Sequence, residues 1–433
     1  MLDGGGALSG LADRDRALLW HPYTQHGVER DPLPVVAAHG ARLVLEDGRE
    51  VVDGISSWWA TLFGHGRPEI VRAMAEQAAR LDHVLFAGAT HPGAVELAER
   101  LVELTPPGLS RVFYSDDGST AVEVALKMVL QRWALRGEPQ RRVLVAFDGG
   151  YHGDTFGAMA VSDPDPFFLP FRPLLFEVRR VPVDGAAVEA ALVDLGRRAA
   201  GVLVEPILQG AAGMRVHSPD VLRAVRAACD AHGVPLIADE VLTGFGRTGA
   251  RFACEHAGVV PDALCLAKGL TGGTFPLAAT LATEEVFEAF LSDDRGRALF
   301  HGHTFTAHPV GCAAALAAIE IGVAEGTPAR FEDIGKAIEE RLAPLKGDPR
   351  VRGLRRIGGV VAFDLAGESG YLAARAPRLR RAALERGVLL RPLGNVVYAM
   401  PPACVDGDEI ARIADTMREL VDVAASRSGA SQG

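Results

Sequence analysis

Two short apolar runs, each ending on a charge, set the terms for how this chain folds. Val234-Pro235-Leu236-Ile237-Ala238 leads into Asp239-Glu240, and Ala263-Leu264-Cys265-Leu266-Ala267 leads into Lys268. Runs of this length without a polar break read as strands buried on both faces, the pattern of a parallel sheet covered by helices. Asp239 and Lys268 are 29 residues apart, room for a crossover and a second parallel strand. Both groups would then stand at the carboxyl ends of neighbouring strands, the edge at which open α/β sheets bind ligands.

Composition sharpens the lysine. Lys127, Lys268, Lys336 and Lys346 are the only lysines among 45 basic residues. Arginine cannot replace an amine that must shed its proton and join a carbonyl as an imine, because guanidinium stays charged while a desolvated amine titrates near neutrality. Two plainer readings compete: a lysine whose stem lies on the sheet with its head in water, and a strand-end aspartate that caps the next helix. Finding both charges on this spacing is much rarer than either alone.

Upstream, Arg111 to Ser115 reads as a strand, and Asp117-Gly118-Ser119-Thr120 turns into a helix carrying Val122, Ala125, Leu126, Val129, Leu130 and Trp133 on one stripe. A glycine and hydroxyls at a helix start make an anion cradle, although helix capping by Ser119 or Thr120 would explain the same residues. After the strand Val143 to Phe147, Gly149-Gly150-Tyr151-His152-Gly153 brings an aromatic ring to the same sheet edge. Tyr151 is placed to stack on a flat ligand, while His152 reads equally well as a core histidine. An aspartate that holds a pyridine nitrogen protonated, a lysine that forms an imine and a phosphate cradle are together what pyridoxal 5'-phosphate chemistry requires.

The order of the phosphate turn, Tyr151-His152-Gly153, Val204-Glu205-Pro206, Asp239-Glu240, Lys268 and His301-Gly302-His303-Thr304-Phe305 resembles the class III, or ω-amino group, aminotransferases. The resemblance runs from about Trp20 to about Pro402. It implies an α/β protein of the PLP-dependent transferase fold type I, with a large domain on a mostly parallel sheet and a smaller α/β domain. Several segments are similar to the branch that moves an amino group from S-adenosylmethionine to 8-amino-7-oxononanoate in biotin biosynthesis: Trp20 to Thr24, Asp53 to Trp59, Asp154 to Met159, Phe252 to His256, Arg391 to Gly394 and Tyr398 to Pro402.

The resemblance implies roles. Lys268 is the imine-forming lysine and proton shuttle, Asp239 the partner of the pyridine nitrogen, and Gly118 with Ser119 the phosphate site. His303 and Thr304 reach the phosphate of the neighbouring subunit's cofactor. Tyr23, Trp58, Tyr151, Gly302 and Arg391 line the substrate site, with Arg391 forking onto the substrate carboxylate. Trp58 and Trp59 also read as core aromatics, and Arg247 reads as structural. His303 stands where the biotin-pathway branch is expected to carry proline. That leaves open another ω-amino acid or diamine as substrate, or lysine as amino donor.

Alternating strands and amphipathic helices from about Phe63 to Gly326 give way after Pro328 to a helix from Phe331 to Leu345, a strand from Leu354 to Asp364, a helix from Ala374 to Arg386, strands Val388 to Arg391 and Val396 to Met400, and a last helix from Asp408. The expected division is residues 1–55 packing with the small domain, 56–328 as the large cofactor domain and 329–433 as the small domain. Net charge of −10 with dispersed arginines argues against nucleic acid as a partner. With 48% apolar residues but no unbroken membrane-length run, no membrane partner and a cytoplasmic location are expected. Five scattered cysteines, Cys229, Cys254, Cys265, Cys312 and Cys404, read as buried thiols. His301 and His303 have no partner at metal-site spacing, so no metal is expected. The family pattern implies a homodimer with active sites at the subunit interface.

Overall fold

The computed structural model describes residues 10–29, 31–163, 167–367 and 370–426. At its centre is a seven-stranded sheet in the order Leu109–Ser115, Ala278–Thr283, Ala263–Leu266, Leu236–Asp239, Ala199–Val204, Val143–Phe147, Val178–Val181. Only Ala278–Thr283 runs antiparallel to its neighbours. The central strands are buried along their whole length, which explains their unbroken apolar runs. Asp239 pairs in register with Cys265, so the Asp239 carboxylate and Lys268, three residues past Cys265, emerge at the same edge.

The helix Gly118–Leu135 crosses one face of this sheet. Its buried stripe of Val122, Ala125, Leu126, Val129 and Trp133 packs on Leu144, Leu203, Ile237, Ala263 and Cys265. Trp133 also donates from Nε1 to the Ala200 carbonyl at 2.7 Å, so this large ring is buried without stranding its one polar atom. Burying such a ring stabilises the fold by about 3 kcal/mol. The opposite face carries a second cluster that includes Leu97, Leu101, Leu192, Leu222 and Val225.

The remaining residues build two smaller sheets. Val35–His39, Arg42–Leu45 and Glu50–Asp53 form an antiparallel ribbon that Val388–Leu389 joins in parallel with Glu50–Asp53. Val351–Ile357, Val360–Leu365 and Val396–Ala399 form the other, covered by helices that include Thr327–Leu342 and Gly407–Ala425. On this packing we propose the division at residues 55 and 328 expected from the sequence. Among the described residues no single helix is long and apolar enough to cross a membrane.

Four local readings are corrected. The segment Leu354 to Asp364 is not one strand: Gly358-Gly359 makes a two-residue turn between paired strands, with Gly358 at φ +47° and no room for a side chain against Thr248 and Gly249. The strand from Val388 stops at Leu389, leaving Arg391 on a loop. The cap of helix Gly118–Leu135 is Asp117, whose side chain accepts from Thr120 N in a reciprocal capping box, so Ser119 is not spent on capping. Cys404, unlike the other four cysteines, is exposed.

Candidate active site

The sheet edge opens into a cavity of about 700 Å³ whose walls include Trp59, Gly118, Ser119, Tyr151, Asp239 and Lys268. Lys268 follows its strand with φ +42°, a left-handed conformation that a non-glycine residue adopts only when its surroundings impose it. Its Nζ stands 5.5 Å from the Trp59 ring centroid. Burial of the amine lowers its pKa, and the charges of Asp239 and Glu205 only partly restore it.

Asp239 is held on both oxygens. Oδ1 accepts from Val241 N at 3.0 Å, and Oδ2 accepts from Nδ1 of buried His152 at 2.7 Å. This fixes the plane of the carboxylate and puts an imidazole behind it. Glu205 completes the floor, accepting from Tyr151 N on Oε1 and from Gly210 N on Oε2, each at 3.0 Å. The sequence pointed to Asp239 but left His152 undecided and gave Glu205 no role. The signal for Glu205 was nonetheless present, since it too ends an unbroken apolar strand, Ala199–Val204.

At the helix start, a side chain on Gly118 would meet Val241 Cγ1 at 2.6 Å, so only glycine lets the helix approach the turn after Asp239 so closely. The Ser119 hydroxyl lies 2.8 Å from Thr155 Oγ1 and accepts from Thr155 N at 3.0 Å. The first N–H groups of a helix have no intrahelical acceptor, so Gly118 and Ser119 present an anion cradle to the cavity. The residues present therefore fit a phosphorylated pyridine aldehyde: amine, paired carboxylate and anion cradle face one space.

Beyond Tyr151 an aromatic wall extends outwards. Tyr23 OH is 3.2 Å from Tyr151 OH and donates to Asp154 Oδ1 at 2.5 Å, and burial raises the pKa of both phenols, keeping them protonated. The Tyr23 ring meets Trp58 edge-on at 5.8 Å, and the Arg391 guanidinium lies 4.6 Å above the Trp58 ring. The turn Ser56–Trp59 that carries Trp58 and Trp59 has four successive positive φ values, 50°, 45°, 76° and 76°. Such a left-handed turn of L residues costs about 1–2 kcal/mol per residue. Trp58 is half-exposed at this wall, whereas Trp59 is buried and donates to Tyr398 OH at 2.9 Å.

None of Gly302, His303 and Thr304 lines the cavity of their own chain. Gly302 and Thr304 are exposed, and His303 Nε2 is buried without a hydrogen-bond partner, 3.6 Å from Asp116 Oδ1 at the cavity rim. Arg247 is structural: fully buried, it donates to the Pro401 carbonyl at 2.8 Å and to Ser56 Oγ at 3.1 Å, with its guanidinium over Phe331.

Glu205 yields a pH prediction that needs no ligand. Burial pushes its carboxyl up to about 7 from an ordinary 4.5. Between those values the folded protein holds a proton that the unfolded chain has lost. The contribution of Glu205 is thus fully present below pH 4.5 and is lost as pH rises through 7, by about 3 kcal/mol. The unfolding free energy of cofactor-free wild type minus that of Glu205→Gln is expected to fall by this amount between pH 4.5 and 7.5 and then level. A flat difference would overturn the protonated Glu205.

A lysine on a strand end, a clamped aspartate beside it and a helix-start anion cradle define a pyridoxal-phosphate transferase site. The model of the class-III aminotransferase family matches residues 23–421, and the chain belongs to this family. Its particular relatives narrow that class. It is 47% identical over 423 residues to adenosylmethionine-8-amino-7-oxononanoate aminotransferase of Synechococcus elongatus, covering 93% of this chain and 98% of the relative, and 42% identical over 441 residues to the enzyme of the same name from Mycobacterium leprae, covering 96% and 98%. Among solved structures it resembles adenosylmethionine-8-amino-7-oxononanoate aminotransferase from Methanocaldococcus jannaschii, with TM-score 0.92 and 36% identity over 95% of this chain and 98% of that one. It also resembles a PLP-bound amine transaminase from an uncultivated Pseudomonas species, with TM-score 0.88 and 32% identity over 94% and 98%. The family resemblance and the fold class read from the motifs are borne out.

Proposed function

We propose that this chain is a pyridoxal-phosphate-dependent aminotransferase that moves an amino group from S-adenosylmethionine to 8-amino-7-oxononanoate, giving 7,8-diaminononanoate for biotin biosynthesis. The observation that carries the reading is the Lys268 amine sharing one cavity with the clamped Asp239–His152 pair. The relatives supply the substrates through their names.

When bound, pyridoxal phosphate supplies a carbonyl that takes up the amino group and a protonated pyridine ring that draws electrons from the substrate carbon. Lys268 Nζ, its neutral form favoured by burial, takes the proton from the amine-bearing carbon of the donor. Asp239 keeps the pyridine nitrogen protonated, and His152 stops that carboxylate from turning away. Gly118 and Ser119 would hold the phosphate, and Tyr151 would cover the ring. Tyr23, Trp58 and Arg391 hold the far end of the substrate. Among the described residues Arg391 forms no ion pair, which leaves its guanidinium for a substrate carboxylate. We propose that the enzyme is a homodimer in which Gly302, His303 and Thr304 serve the neighbouring subunit's site, since none of them lines the cavity of their own chain. A cytoplasmic location follows from the same biosynthetic reading.

Arg391→Ala is expected to raise KM for the keto acid about 100-fold, the loss of a charged, two-pronged hydrogen bond, with a much smaller effect on the S-adenosylmethionine half-reaction. Equal damage to both half-reactions would overturn its assignment. The function itself is tested by the absorbance of purified protein on adding S-adenosylmethionine and then 8-amino-7-oxononanoate. The visible cofactor band is expected to bleach on the first addition and return on the second, with alternating, ping-pong kinetics. Bleaching by lysine but not by S-adenosylmethionine would transfer the donor role to lysine, and His303 would be the first residue to exchange for proline.

A further inference from the structure

What holds the left-handed turn Ser56–Trp59 lies beneath it. Asp53 ends the strand Glu50–Asp53 and is fully buried, yet it touches neither the cavity nor Arg391. Its Oδ1 accepts from Ile55 N at 3.2 Å and Ser57 N at 2.9 Å, and its Oδ2 accepts from Ser57 Oγ at 2.7 Å and His65 Nε2 at 3.0 Å. His65 is itself fixed by reciprocal backbone hydrogen bonds with Gly40, and the buried Arg247 guanidinium interacts electrostatically with Asp53. A carboxylate in such a place is costly unless every lone pair is used, and here four donors use them.

We propose that Asp53 is a positioning residue for the substrate end of the site: through the turn it clamps, it sets where Trp58 stands beneath Arg391. The inference rests on the function proposed above. A run of four left-handed L residues does not sustain itself, and persists only where surrounding contacts over-determine it. Two of the four hydrogen bonds to Asp53 come from Ser57, the residue next to Trp58. Trp58 carries the guanidinium of Arg391 over its ring and packs edge-to-face with Tyr23, so a shift in the turn moves the carboxylate fork and the phenol together. Trp59 has its own anchor in Tyr398, so the Lys268 end of the cavity does not depend on Asp53. The fold thus separates substrate placement from cofactor placement along one short turn.

Asp53→Asn keeps the Oδ1 acceptor but turns the other atom into a donor facing Ser57 Oγ and His65. Ser57→Ala removes only the hydroxyl that bonds Asp53 Oδ2 at 2.7 Å and lies 3.5 Å from His65 Nε2, and it keeps the test decisive if Asp53→Asn fails to fold. In the holoenzyme KM for the keto acid is expected to rise about tenfold for Asp53→Asn and about threefold for Ser57→Ala, with kcat, KM for S-adenosylmethionine and the visible cofactor band little changed. In a Trp58→Ala background either substitution should add almost nothing, because both act through that ring. A second readout needs no turnover. In cofactor-free protein carrying Trp20→Phe, acrylamide quenching of fluorescence is expected to rise with either substitution, as Trp58, 38% exposed, loosens. Equal losses with and without Trp58, or unchanged quenching, would overturn the proposal. Failure of amino transfer between these two substrates in the wild type would instead sink the functional reading, while the quenching result would still judge Asp53.

Discussion

Lys268→Ala is expected to stop amino transfer, lowering turnover by roughly six orders of magnitude, the scale of removing a group around which the chemistry is organised. The purified variant should also lack the visible band of the lysine-bound cofactor. No other amine can stand in. Lys127 Nζ lies 2.9 Å from His301 Nδ1, Lys346 pairs with Glu339, and none of the other three lysines lines the cavity. Arginine at this position should fail as completely as alanine, because it cannot become neutral at working pH. Turnover that survives either substitution, measured after removal of free pyridoxal phosphate, would remove Lys268 from the mechanism. Added methylamine offers a sharper check. Partial rescue of Lys268→Ala would place the loss in proton transfer rather than in a disturbed fold.

Asp239→Asn is expected to retain the cofactor and lose roughly 10³-fold in kcat, comparable to deleting one preorganised charge-stabilising group. The geometry says why the amide is a poor replacement. Its oxygen must remain where Oδ1 accepts from Val241 N, which puts the amide nitrogen against His152 Nδ1. Two donors then face each other unless the imidazole changes tautomer. The variant loses the negative charge towards the pyridine nitrogen and gains a local repulsion behind it. The check is kcat together with the absorbance of the bound cofactor across pH. A variant with wild-type turnover would mean that another group holds the ring nitrogen protonated. The Glu205 difference measured between pH 4.5 and 7.5 complements this test, since it reports on the same cavity floor without any ligand.

The parts of the site that were legible in the sequence share one property: each ends a buried strand or opens the helix that follows one. Asp239, Lys268 and Gly118 could be read because an unbroken apolar run followed by a charge or a glycine turn is a local signal, and in a parallel sheet all such ends fall on one edge. A mostly parallel sheet and the family resemblance followed from the same signals, whereas the number of strands in that sheet, seven, came only from the structure. Glu205 carried the signal too, but without its neighbours nothing in the sequence told a buried carboxyl from a helix cap.

What the sequence could not supply were pairings across long separations and backbone that defies residue preference. That His152 stands behind Asp239 depends on two strand ends 87 residues apart meeting at one edge. Whether Trp58 or Trp59 lines the cavity depends on a left-handed turn that Ser-Ser-Trp-Trp would not adopt by itself, held by Asp53, Arg247 and the Met400 carbonyl from three different parts of the chain. Gly358-Gly359 broke a segment that by apolar pattern alone was one strand, because only tertiary packing against Thr248 fixed where the chain had to reverse. By itself the sequence determined which residues could do the chemistry and which edge would hold them, since burial and strand ends are written locally. The tertiary structure alone decided the orientation of the carboxylates and aromatic rings, since each is set by hydrogen bonds and contacts from residues distant in the chain.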